Sequence, residues 1–126
     1  MGHGGVVGDY GNWALSIINV HAHAAFAMAK RAGIVIDQSK WDLSWTGHIK
    51  GATARSNGHM EDGYVDYGPP AWGQGNGYDA SGRTAGAVFG FFNYGQVPTA
   101  DDTDALDRMK CYLSRNYHRM QHTHAY

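Results

Sequence analysis

Residues 13 to 41 read WALSIINVHAHAAFAMAKRAGIVIDQSKW: an alanine-rich apolar run, one glycine, and an aspartate shortly before a tryptophan. From Asn12 to Ala32 there is no proline, and the run stops at Gly33, the residue that favours the left-handed position just past a helix C-terminus. The stretch predicts a first helix over 12–32. Its apolar residues surround it, while Asn12, Ser16, Asn19 and His23 form a narrow polar stripe at steps of four, three and four. Such a helix is expected to lie buried between layers with almost no solvent face. Ser16, Asn19, His21 and His23 make it too polar to span a membrane.

Working outward, Asp37 is placed to cap a second helix reaching Ile49, because Trp41, Trp45, His48 and Ile49 share one face. The next segment, GATARSNGHMEDGYVDYGPPAWGQGNG, is rich in glycine and contains Pro69 and Pro70, so it reads as a long loop. Its tyrosines and Trp72 argue that it packs, and a short strand fits at Gly63 to Tyr67. A third helix is expected from Ala80 to Tyr94. There Ser81, Gly82, Ala85, Gly86 and Gly90 align small side chains, and interior glycines of this kind imply close approach of another backbone. Thr99 then caps a fourth helix from Ala100 to His122, with acidic residues in its first turn and Leu106, Met109, Leu113, Tyr117 and Met120 along its apolar side.

The order is therefore an apolar helix, a turn, a helix with charged positions, a Gly-rich loop, and the same again. That is an all-α chain of two helical hairpins joined by a long Gly- and aromatic-rich loop. With 126 residues, 43% hydrophobic and 17% charged, residues 1–126 fit a single domain. A net charge of -1 without a basic tract gives no footprint for nucleic acid or an anionic membrane surface. The single cysteine, Cys111, excludes an intrachain disulfide and any cysteine-based zinc set. The opening MGHGGVVGDYG lacks the basic and continuous apolar segments of a signal peptide.

Residues 13 to 41 resemble the inner-helix, turn, outer-helix unit of the α/α toroids, the fold shared by terpenoid cyclases, protein prenyltransferase β subunits and the thioester domains of complement-like proteins. The later YDASGRTAGAVFGFFNYGQ resembles the next inner helix, as in a bacterial branch of cyclase-like proteins. The resemblance implies inner helices facing a concave site. It also implies self-association or a place within a larger toroid, since about six hairpins close such a ring and two are present. Asp101-Asp102-Thr103-Asp104 has the residue type of the cyclase acidic motif in the wrong order, and the prenyltransferase zinc set has no match, so neither chemistry is carried over.

Three constellations are candidates for function. His118 and His122 lie four apart and would share a helix face, a spacing that permits a zinc ion, with His124 nearby; a solvent-facing pair at a helix end is the structural alternative. Tyr78, Asp79, Ser81, Arg83 and Thr84 open the third helix. There Arg83 either clamps a carboxylate or phosphate or simply pairs with Asp79 as N-cap, and both readings make it buried and paired. Loop aromatics, Trp72 among them, either line a pocket or roof a thin core. His23 is either part of a polar site with Asn19 or a buried histidine held by a backbone carbonyl. The expected function is a module binding a small or extended ligand at Asn19, His23, Trp72, Tyr78, Asp79 and Arg83. The alternative is a cyclase-like or metal-assisted enzyme using His and Asp as acid, base or ligands.

Overall fold

The computed structural model describes residues 16–50, 53–55, 63–65 and 80–117. They are mostly helical, in the order α1 (Ser16–Arg31), α2 (Gln38–Asp42) continued by a π-helical segment (Leu43–Lys50), β1 (Thr53–Arg55), β2 (Gly63–Val65), α3 (Ser81–Tyr94) and α4 (Ala100–Arg115). No helix among the described residues is long and apolar enough to cross a membrane.

α1 ends as its sequence predicts. Gly33 takes φ +86°, its N–H bonds to the Lys30 carbonyl and that of Ile34 to the Ala29 carbonyl, which closes the helix in a Schellman motif. The expected Asp37 cap is present: its carboxylate accepts from the Ser39 N–H at 2.9 Å and the Ser39 hydroxyl at 2.7 Å. From Leu43 the helix widens to i→i+5 winding. In an ordinary α-helix a row of residues four apart drifts by about 40° per step. The wider winding reduces that drift, and Trp41, Trp45 and Ile49 all reach the core together with Ser44 and His48.

α1 and α3 run parallel and make the most extensive pairing among the described elements. A Cβ on Gly86 would lie 2.6 Å from Val20 Cγ1, and one on Gly90 would lie 2.3 Å from His23 Cδ2, so the small-residue row of α3 is where α1 seats. Further along, Arg31 donates to the Asn93 side-chain oxygen and the Lys30 ammonium sits 3.7 Å from the Tyr94 ring centre. α2 packs behind them in the opposite sense, because Trp41 stacks on Tyr94 (3.6 Å, 3°) whereas the later Trp45 meets the earlier Phe91 (4.6 Å).

The second turn mirrors the first. Gly95 takes φ +76°, and Thr99, four residues on as Asp37 is from Gly33, caps α4 in a reciprocal box with Asp102. α4 begins beside Trp45 and Lys50 and reaches β2 at Tyr112, whose ring lies 5.2 Å from that of Tyr64. Leu106 and Met109 complete the core.

Four expectations need correction. α1 is not wrapped on all sides: His21, Ala25, Met28, Lys30 and Arg31 are exposed, since the described residues place a single layer behind the α1/α3 pair. The 51–77 segment is not loop throughout. Gly63–Val65 forms the anticipated strand, shorter than expected, and pairs antiparallel with Thr53–Arg55 in the register Thr53↔Val65, a partner too short to show any alternation. α3 starts after Ala80, which offers no capping side chain; the proposed cap Asp79 lies outside the described residues. α4 ends at Arg115 with Asn116 as C-cap, leaving Tyr117 exposed instead of in the apolar row.

Candidate functional site

Of the sequence-selected residues, Asn19 and His23 are brought together on the buried face of α1. The imidazole stacks on Trp41 at 4.0 Å and 19° and lies 5.7 Å from Trp45. It belongs to a column in which Trp41, Tyr94 and Lys30 follow one another, with Tyr94 donating from its hydroxyl to the Gln38 side chain at 2.8 Å. Neither ring nitrogen of His23 and neither amide atom of Asn19 reaches a hydrogen-bond partner among the described residues. Burial lowers the His23 pKa to about 4; the Ala87 carbonyl, facing the ring without a well-formed hydrogen bond, opposes the shift without compensating it. The ring is therefore neutral at pH 7.

Arg83 is placed elsewhere. It is buried near the start of α3, and its Nε donates to the Val65 carbonyl at 3.2 Å while the Thr84 hydroxyl accepts from the Val65 N–H at 3.0 Å. The two side chains hold β2 to α3. Seven residues of helix separate Arg83 from Gly90, where His23 rests, about 10 Å along the axis. His23 thus does not share one pocket with Arg83. Trp72, Tyr78, Asp79, His118 and His122 lie outside the described residues. Among the described residues no three histidine, cysteine or acidic side chains converge on a point that would hold a metal ion.

Two features were missed from sequence. The first is Asp102, only 3% exposed. Its carboxylate accepts from Trp45 Nε1 (2.7 Å), Lys50 Nζ (2.8 Å) and the Thr99 N–H (3.1 Å). Burial disfavours its charge, but these donors outweigh that and hold the carboxyl well below the usual range. The Thr-x-x-Asp spacing of a capping box was the available signal. Beside it an open cleft of about 200 Å³ runs between Lys50, Thr53 and Gly63 and the α4 residues Asp101, Asp104 and Arg108. Its charges pair with one another: Lys50 with Asp101 at 2.7 Å and Arg108 with Asp104 at 2.7 Å.

The second is the front of the α1/α3 layer, the side turned away from α2. On α1 the exposed residues His21, Ala25 and Met28 follow the i, i+4, i+7 rule, and on α3 Ala85, Phe89 and Phe92 do the same. Because the helices are parallel and both turn their buried faces toward α2 and α4, the two stripes face the same way. Met28, Phe89 and Phe92 are each about half exposed. The matched spacing was readable in the sequence, but which side of each helix met solvent was not.

These observations define a mostly helical protein of two short-turn helical hairpins, with parallel first helices, parallel second helices and an apolar front. No protein-family model matches the sequence, and no curated protein or solved structure is significantly similar to it.

Proposed function

We propose that the chain is a binding module built from two hairpins of α/α-toroid type, whose inner-helix layer receives a small or extended apolar ligand on its front. The observation that carries the reading is the pair of aligned stripes, Ala25–Met28 and Ala85–Phe89–Phe92, exposed on neighbouring parallel helices with only the Lys110 ammonium over Phe92 among the described residues. Large apolar side chains grouped on one face mark binding surfaces more often than scattered ones do. The toroid reading is supported by the equivalent turns at Gly33–Asp37 and Gly95–Thr99 and by inner helices that run side by side. In this arrangement Asn19, His23 and Arg83 support the site from behind by fixing α1, α3 and β2.

An isoprenoid alcohol such as farnesol is a suitable probe, since it is apolar, extended and uncharged. Titration monitored by calorimetry is expected to show saturable binding that weakens at least tenfold in a Phe89→Ser, Phe92→Ser double variant whose circular dichroism is unchanged. Binding of equal strength in that variant would sink the proposal.

A further inference from the structure

His23 stands where three helices meet, and among the described residues only the Ala87 carbonyl favours a charge on its ring. The ring is fully buried, one face lies on Trp41, and its edge meets the α3 backbone at Gly90 so closely that not even a methyl group fits between them. The imidazole therefore cannot swing toward water without displacing a helix. One turn earlier, Asn19 carries an equally buried amide without partners among the described residues. We propose that His23 is an acid-sensitive latch: uptake of a proton by its imidazole drives α1 off the aromatic stack of α2 and α3 and opens the inner layer to water.

The charged and titratable groups on the surrounding elements are engaged elsewhere. On α1, Lys30 covers Tyr94, Arg31 binds Asn93 and His21 is exposed. On α2 and its π-helical continuation, Asp37 caps the helix, Lys40 and Asp42 are exposed, Lys50 binds Asp101 and Asp102, and His48 is buried farther along the Trp41–Trp45 face. On α3, Arg83 holds Val65; on α4, Asp102 is taken by Trp45, Lys50 and Thr99. No carboxylate hydrogen-bonds the ring among the described residues. The Trp41 face attracts a cation, but that attraction is smaller than the loss of water around an imidazolium. Opening also gives water to the Asn19 amide and the ring nitrogens, which have no well-formed hydrogen bonds among the described residues.

The direction in pH follows from linkage. The unfolded or opened chain binds its proton near the ordinary value of 6.5, the closed state only near 4. Stability contributed by the neutral ring is whole above about pH 6.5, declines as pH falls, and is gone near pH 4. Over that window the opening constant is expected to rise about a hundredfold.

The test is proton NMR of the histidine ring signals together with denaturant unfolding followed by tryptophan fluorescence between pH 7.5 and 4.5. The His23 signal is expected to remain that of a neutral ring until well below pH 5.5. The native protein is expected to lose stability steeply across the range, while His23→Phe and His23→Leu, neither of which can take a proton, lose much less. A His23 signal that titrates near 6.5, or variants that lose stability in parallel with the native protein, would overturn the latch. Should both variants fail to fold, the ring titration decides alone.

Discussion

At the scale of single residues the largest energies sit where polar chemistry is buried. Gly90 illustrates how tertiary context reverses an intrinsic preference. In an isolated helix Gly→Ala gains about 1 kcal/mol, yet at this position the new methyl would overlap the His23 ring, which Trp41 holds in place. Gly90→Ala is therefore expected to destabilise by about 1–3 kcal/mol in denaturant unfolding. Shrinking His23 to alanine should remove most of that penalty, a coupling a double-mutant cycle measures. Asp102 behaves oppositely to His23 in acid. Its lowered carboxyl pKa contributes stability that is present above its ordinary value of 3.8 and is lost only as pH falls below it. The two losses are separated in pH, so the milder one belongs to the histidine.

At the scale of elements, caps and turns set the boundaries and packing sets the geometry. Thr99 and Asp102 satisfy each other's backbone N–H groups at the start of α4, and Thr99→Ala is expected to cost about 1 kcal/mol. Asp102→Ala removes the same box and also strips the partner from a buried indole N–H and from Lys50, so a loss of about 3 kcal/mol is expected. Thermal unfolding of both variants checks the order; equal losses would show that the bonds to Trp45 and Lys50 contribute nothing. The π-helical stretch after Asp42 was not legible, because its spacing of Trp41, Trp45, His48 and Ile49 fits an ordinary amphipathic helix equally well. The β1/β2 pair was half legible for a related reason: three residues cannot display a period, and the partners that hold β2, Thr84 and Arg83, lie on another element.

At the scale of the molecule, the described residues form two layers with an exposed apolar front that invites a third. If the chain assembles with copies of itself, the front of α1 and α3 offers a grouped apolar surface, through Met28, Phe89 and Phe92. Light scattering over a range of concentrations is expected to show a mass above the monomer that the Phe89→Ser, Phe92→Ser variant abolishes. A monomer at every concentration would count against self-association and leave the farnesol titration to stand by itself.

The hairpin plan was legible because it rests on local physics. The Gly33 helix stop and the caps at Asp37 and Thr99 act through neighbours in the chain, and each is found where the sequence predicts it. The same locality explains why Asn19 and His23 were readable as a pair and Arg83 as buried. What only the tertiary structure decided was direction: that Asn19 and His23 turn inward, that Arg83 serves β2, and that Phe89 and Phe92 face out. A helix carries its periodicity in its own residues, but which of its sides meets water depends on the neighbours it packs against, and those are fixed by contacts far apart in the chain.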